Sequence, residues 1–396
     1  MKILMLLETA FPPDDRVEKE IRTLMQEGHE VILACSTRKD DPSREFYKGF
    51  SVARLSLNKF WYKASVLVLI FPLYLRRWKR FVKRIYLKEG FDAIHVHDLP
   101  LTAIGRYFKN RYNLKFIADQ HEYYSDWIVE TAHYNTFLGS LVKFFSNWKK
   151  YESKALNESN LVITVEPPLR ENYIHEYSLP PDKIITLPNT PERTVFDISL
   201  IDPEKYKNQV GNFTLLYVGG LDILRGIDYV IRAIPEIIQS IPGFKFLLAG
   251  RLYGGYDPMQ TAAQLNVEDH VEFLGWIELS DLPSLISVCD IGVFTPPSHR
   301  DEINKTIATK NYQFLVMGKP MIVGKAKYMK EFTVENGIGW SIDEENPGEI
   351  SKLVIDIYKD QEMMQKAVAN CREISENYFW EKTSRTLTEG YESLKE

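Results

Sequence analysis

What this chain of 396 residues has little of already narrows its chemistry. It has three cysteines, Cys35, Cys289 and Cys371, far apart and without metal-ligand spacing. That argues against a disulfide framework or a zinc module and fits a reducing cytoplasm. It has no strong excess of charge of either sign. The formal net charge of -5 gives no global pull toward nucleic acid. It lacks a bilayer-spanning run: Ala64–Leu75 is uncharged but only about 12 residues long, against roughly 20 needed to cross. The opening "MKILMLLETAF" is too short in its apolar part for a secretory signal, and a buried strand accounts for it. There is no Gly-x-Ser-x-Gly, no His-Glu-x-x-His and no phosphate-loop Gly-Lys-Ser/Thr. Serine hydrolase, zinc protease and P-loop nucleotidase chemistry lose their usual markers. No short-period repeat or low-complexity tract is visible.

What is present is a long alternation of apolar runs and amphipathic stretches. The length and a hydrophobic share of 44% are enough for two domains with substantial cores. "KILMLLE" reads as a buried strand. Asp14 or Asp15 then caps a helix with Val17, Ile21, Leu24 and Met25 on one face, and Gly28 ends it. "HEVILAC", "FDAIHVHD", "LKFIADQHE" and "NLVITVE" read as further strands. Parallel strands joined by helices make a doubly wound α/β sheet. Around Pro188–Gln209 a polar linker interrupts the pattern. A second series follows: "FTLLYVGGL", a helix from Ile227 to Gln239, "KFLLAG", "VEFLGW", "DIGVFTP" and "PMIVG". The expectation is two Rossmann-like domains, 1–195 and 205–375, facing a central cleft. Ligands of such sheets bind outside the carboxyl ends of the strands.

Several stretches carry chemistry. In "YVGGLDILRGIDYVI", Gly219 and Gly220 permit close backbone approach, and Arg225 stands just before a helix N-terminus that favours anions. The spacing is not the dinucleotide fingerprint, so the choice lies between a phosphate site and a tight turn with a surface arginine. His95 and His97 alternate on one strand with Asp98 at its end, but no third metal ligand has a recognisable spacing. His121 ends a strand, where active-site groups collect in this architecture or where a structural histidine is hydrogen-bonded. In "TKNYQFLVMGKPMIV", Lys310 and Gln313 are three apart on a helix that is otherwise apolar, with Gly318 and Pro320 as its stop. They mark a solvated face or a ligand face. The segment Phe60–Tyr86 interleaves Arg76, Arg77, Lys79, Arg80, Lys83 and Arg84 with Trp78, Phe81 and Val82. That composition suits an anionic membrane surface or a domain helix with a solvated basic face.

Taken in order, "DDRVEKEIRTLMQEGHEV", "IHVHD", "DQHE", "YESKALNESNLVITVEPPLRENYI", "IITLPNTP", "LLYVGGLDILRGIDYVIRAI", "VEFLGW" and "KNYQFLVMGKPMIV" resemble a retaining glycosyltransferase of family 4, with the GT-B fold. The resemblance runs from Met1 to about Tyr391. "NYFWEKTSRTLTEGYESL" is similar to the family's C-terminal helix, which crosses back onto the first domain, so 376–396 is expected to join 1–195.

The resemblance implies a nucleotide-sugar donor held mainly by the second domain and an acceptor, lipid-linked or polysaccharide, held mainly by the first. It implies no cofactor and no metal. Arg225 matches one member of a basic pair that grips the diphosphate, while Gly220 stands where the other is usually arginine. His121 matches a histidine near the donor sugar. Gln313 stands where a glutamate usually holds the ribose, and Lys305 stands at a second glutamate position. Lys310 matches a lysine carried by some members, and Glu302 is a candidate carboxylate nearby. With Gly219, these residues form the expected donor site. Asp15, Arg16 and His97 are the expected acceptor contacts. The implied protein is cytoplasmic, at most peripheral to the inner face of the plasma membrane, and does not bind nucleic acid. Its rivals are a sugar-nucleotide epimerase on the same fold and a catalytically silent binding module. The charge logic agrees with transfer: a departing nucleoside diphosphate gains negative charge, which cations and helix N-termini stabilise.

Overall fold

The computed structural model describes residues 1–37, 41–58, 61, 68–69, 72–125, 147–300 and 303–395. Glu302 and half of Ala64–Leu75, positions 64–67, 70 and 71, lie outside the described residues. The chain forms two compact units, Met1–Pro188 with Ser384–Glu396, and Asn189–Thr383. The expected boundaries at 195 and 376 differ from these. Residues 189–195 and 376–383 belong to the second unit, where the Trp380 amide bonds the Pro191 carbonyl and the Arg193 amide bonds Glu381.

The first unit is built on an eight-stranded sheet. Its strands are β1 (Lys2–Ala10), β2 (Glu30–Thr37), β3 (Arg44–Tyr47), β4 (Phe50–Ser56), β5 (Ala93–His97), β6 (Lys115–Gln120), β7 (Leu161–Thr164) and β8 (Ile184–Thr186). The order is β3-β4-β2-β1-β5-β6-β7-β8, parallel except for the β3–β4 pair. Runs such as Ile3–Leu7 are apolar throughout because helices cover both faces of such a sheet. Asp14 caps the helix Asp15–Gln26 by accepting from the Val17 amide at 3.0 Å. Val17, Ile21 and Leu24 are fully buried, as their spacing predicts. The helix Arg385–Ser393 follows the second unit in sequence but belongs to the first. Gly390 lets it approach closely: a Cβ there would stand 2.9 Å from Ile185 and 3.1 Å from Leu161.

The second unit has a six-stranded parallel sheet: β9 (Phe213–Val218), β10 (Phe244–Ala249), β11 (Val271–Gly275), β12 (Ile291–Phe294), β13 (Met321–Val323) and β14 (Gly339–Ser341). Its order is β11-β10-β9-β12-β13-β14. Each sheet therefore has one point where the strand order reverses, β1/β5 in the first and β9/β12 in the second. Such a reversal leaves a crevice at the carboxyl ends of the two strands. The helix Thr309–Val316 stops as its sequence predicts. Gly318 is left-handed (φ 67°), the Gly318 amide bonds the Leu315 carbonyl, and the Lys319 amide bonds that of Phe314.

Candidate functional site

The carboxyl edge of the first sheet carries a buried charge network. His95 and His97 project from β5, Asp119 from β6, and Glu20 and Arg16 from the helix Asp15–Gln26. Asp119 Oδ2 lies 2.9 Å from His121 Nε2, 3.0 Å from His97 Nδ1 and 3.5 Å from His95 Nε2. Its other oxygen faces Arg16 Nη2 at 3.4 Å. The Tyr391 hydroxyl, from the C-terminal helix, lies 2.8 Å from His95 Nδ1. Burial alone would neutralise Asp119, but His121 and Arg16 outweigh it and hold the carboxyl well below its usual range. Burial likewise opposes charge on His121. Asp119, and Asp98 at 3.7 Å from Nδ1, prevail and lift its pKa to about 10. For His95, burial with the neighbouring His97 outweighs the support of Asp119 and pushes its pKa down to about 4. Burial and Asp119 push the Glu20 carboxyl up to about 8, with Arg16 pulling against them.

Glu20, His95, His97 and Asp119 bring ligand atoms within 4.8 Å of one another, a grouping that could be taken for a metal centre. The Arg16 guanidinium argues otherwise. Its Nε stands 3.0 Å from Glu20 Oε1 and supplies the positive charge that a divalent ion would bring. What reaches the accessible edge is His121, whose side chain is 19% exposed. Both its ring nitrogens face carboxylates, so at neutral pH it is a fixed imidazolium. It can donate a hydrogen bond or stabilise negative charge, but it is not a base. Beside it is Asp98, in a left-handed conformation (φ 62°) and within electrostatic reach of Glu8, whose carboxyl is pushed up to about 7 by burial and accepts from the Tyr74 hydroxyl. Asp15 is exposed at the helix start. Arg16 and His97 do not reach that edge. They are buried, Arg16 donating to the Leu187 carbonyl at 2.9 Å, so both are parts of the network behind His121.

The reversal point of the second sheet gathers the other expected residues. Gly219 (φ 133°) and Gly220 follow β9, and the Tyr217 hydroxyl donates to the Gly220 carbonyl at 2.7 Å. Asp222 caps a short 3-10 turn through the Leu224 amide and pairs with Arg225 Nε at 3.1 Å. Gly226 has no room for a side chain: a Cβ would stand 1.8 Å from the Thr295 carbonyl oxygen. This close approach seats the N-terminus of the helix Ile227–Ser240 beside the end of β12. Lys310 reaches the same point from the first turn of Thr309–Val316. Its Nζ lies 3.9 Å from the Phe294 ring centroid and 4.4 Å from that of Tyr217. Burial, and then Arg225, push its pKa well below the ordinary lysine value. Gln313 is half-buried one turn further on. On the β10 and β11 side, Arg251 lies 4.3 Å over the half-exposed Trp276 ring. Lys305 ends a 3-10 turn before the Lys310 helix. The residues that sequence reasoning missed are Glu8, Glu20, Asp119 and Tyr391 in the first unit, and Tyr217, Phe294, Arg251 and Trp276 in the second.

Two family models match the chain, Glycosyltransferase Family 4 over residues 16–190 and Glycosyl transferases group 1 over residues 200–374. The chain belongs to the family 4 glycosyltransferases. This glycosyltransferase is 24% identical to an uncharacterized glycosyltransferase of Methanocaldococcus jannaschii, over 94% of its own length and 92% of the relative's. It is 23% identical to the alpha-monoglucosyldiacylglycerol synthase of Streptococcus pneumoniae, over 86% and 74%. Its fold matches the Anabaena HepE structure in complex with UDP with a TM-score of 0.71 at 16% identity, covering 99% of this chain and 100% of that one. Two Rossmann-like domains with parallel sheets make it a GT-B glycosyltransferase, and so a transferase enzyme.

Proposed function

We propose that this glycosyltransferase moves a sugar from a nucleoside-diphosphate sugar to a lipid-linked or polysaccharide acceptor, with retention at the anomeric carbon and without a metal or other cofactor. The observation that carries the reading is Arg225 with the amine of Lys310, which an arriving anion would hold protonated, at the reversal point of the second sheet. With the helix N-terminus after Gly226, they suit the charge that a diphosphate gains as it leaves. In the reaction the bond between the anomeric carbon and the phosphate oxygen breaks. A bond to the acceptor oxygen forms on the same face, and the acceptor proton departs with the diphosphate. His121, an imidazolium at the carboxyl edge of the first sheet, offers a charged hydrogen-bond donor suited to a sugar oxygen. Gln313 meets the ribose, and the flat face of Trp276 with Arg251 suits a base. UDP in HepE and the glycolipid product named for the streptococcal synthase support the choice of donor and acceptor class.

We further propose peripheral contact with an anionic membrane surface. On the helix Leu73–Glu89, Tyr74, Trp78, Val82 and Ile85 are buried. Arg76, Arg80, Lys83, Arg84 and Lys88 are exposed, and none has an acidic partner among the described residues. Leu73 and Leu87 are exposed at the two ends of that face. A basic stripe with apolar ends matches anionic headgroups over an acyl boundary. No described helix is long and apolar enough to cross a membrane. Three free, buried cysteines and a sugar-nucleotide donor support a cytoplasmic setting.

Calorimetry with UDP, GDP, ADP and dTDP tests the donor site. Arg225→Ala should weaken the nucleoside diphosphate that binds by about tenfold, the weight of one charge-assisted contact. Unchanged affinity would remove Arg225 from the site. Conversion of a donor to its epimer without transfer would replace the transferase reading with epimerase chemistry.

A further inference from the structure

We infer that the acceptor carries a long apolar chain, and that this chain lies on the exposed aliphatic tips of the loops after β9 and β10. The inference rests on the donor-site reading above and names the acceptor class for it, an amphiphile rather than a polysaccharide. Eleven large apolar side chains are exposed among the described residues, and five of them stand on three neighbouring loops. Ile223 and Leu224 follow β9, Leu252 and Tyr253 follow β10, and Trp276 follows β11. Ile223 is 65% exposed and Tyr253 53%. The three strands are adjacent in the order β11-β10-β9, so the five side chains form one strip along the carboxyl edge of that half of the sheet. The backbone holds the strip in place. Leu221 pairs with Leu252, the Leu221 amide bonds the Arg251 carbonyl at 2.8 Å, and the Tyr253 amide bonds the Leu221 carbonyl at 2.9 Å. The carboxylates of the first two loops are already engaged: Asp222 with the Leu224 amide and Arg225, Asp257 with the Met259 amide.

Single exposed apolar residues are ordinary, but a contiguous strip beside a ligand site marks a contact surface. The donor does not account for it. A nucleoside-diphosphate sugar has one flat face of low polarity, its base, and in the reading above Trp276 with Arg251 takes that face. Its ribose, diphosphate and sugar are polar throughout and gain nothing from Ile223, Leu224 or Leu252. Yet these tips are continuous with the donor loop. Ile223 and Leu224 lie between Asp222 and Arg225, and a Cβ at Gly220 would stand 3.1 Å from the Tyr253 ring. Besides the donor, the molecule that must reach this edge in the reaction is the acceptor. A polysaccharide needs hydrogen-bond acceptors and donors for its hydroxyls. Aliphatic tips whose neighbouring carboxylates are engaged suit an alkyl or prenyl chain instead.

The test uses n-alkyl β-glucosides of six, eight and ten carbons below their micellar concentrations, with glucose and a dextran oligosaccharide as chainless controls. Each is titrated calorimetrically into enzyme saturated with the nucleoside diphosphate that it binds. Wild-type affinity should rise about threefold or more for each two methylenes added, against roughly tenfold for complete burial. Ile223→Gln/Leu252→Gln should flatten that rise while keeping its melting temperature within about 2 °C and its nucleoside diphosphate affinity within about twofold of wild type, because both side chains are exposed. No rise in the wild type, a rise that survives in the double variant, or tighter binding of the dextran oligosaccharide than of any alkyl glucoside overturns the inference while leaving the donor site standing. Concentration-dependent dimerisation that the double variant loses assigns the strip to a second copy of the chain and overturns it too. A wild type that binds no nucleoside diphosphate removes the donor-site reading itself, and the inference with it.

Discussion

At the scale of single residues, the network around Asp119 makes a demand that can be measured. Folding lifts His121 above its ordinary value of 6.5, to about 10. The linked stability is fully present below the ordinary value and is lost as pH rises through about 10. Glu20, pushed up to about 8, acts in the same direction, since its native carboxyl prefers its proton. Stability should therefore fall between pH 7 and pH 10. Asp119→Asn should cost roughly 3 kcal/mol at pH 7 by leaving Arg16 and His121 without their shared anion. It should also bring the His121 ring into the neutral titration range by NMR. A wild-type His121 that already titrates near pH 7 would refute this account. Gln313 poses a second residue-scale question. Its amide carbonyl accepts as a neutral group, whereas a glutamate there would accept the ribose hydroxyls with full charge. Gln313→Glu should bind the nucleoside diphosphate about fivefold more tightly, a gain of about 1 kcal/mol. The gain should shrink in Lys310→Ala, where repulsion from the diphosphate is no longer offset. A double-mutant cycle reads the coupling, and no response to Gln313→Glu or Gln313→Ala would move Gln313 away from the ribose.

At the scale of elements, the Leu73–Glu89 helix separates a core face from a basic face. Vesicles containing anionic lipid should retain the protein at low salt and release it at high salt, because exposed charges are screened beyond about 10 Å at 0.1 M salt. Equal recovery with neutral and anionic vesicles would reduce the stripe to a solvated surface. Elements also show where the sequence was readable. The strands β1, β2, β5, β6 and β7, and β9 to β13, are apolar runs of four or more residues or lie beside clear stops. The hairpin β3–β4 was missed because Arg54 breaks the run "SVARLSL". Its guanidinium is buried, donating to the Phe11 carbonyl and pairing with Glu45, so a charge that reads as surface is core. The turn between the strands, Lys48–Gly49 with φ of 43° and 99°, is a short hairpin that its one glycine marks only weakly. The three-residue strands β8 and β14 are too short to show a period.

At the scale of the whole molecule, the site was legible where its residues lie next to a local signal. Gly219, Gly220 and Arg225 stand between a strand and a helix, and His121 ends a strand. Asp119, Glu20 and Tyr391 gave no such signal, since what makes them matter is contact across the chain. Tyr391 is 296 residues from its partner His95. Arg16 and His97 looked like acceptor contacts because the family likeness points to the loop before the first helix and a polar residue at a strand's end invites that reading, but burial turns them inward. The family likeness supplied the order of the pieces, and the structure supplied which of them are buried and which lie at a sheet's carboxyl edge. The central claim is transfer of a sugar from a nucleotide donor with retention. The most direct measurement follows the anomeric proton by NMR while the enzyme slowly hydrolyses its donor, with water standing in for the acceptor. The account expects the first sugar released from an α-linked donor to be the α anomer, with the β form appearing only as mutarotation proceeds. Release of the β anomer first would contradict retention, and a donor left intact across all common sugar nucleotides would contradict the donor assignment.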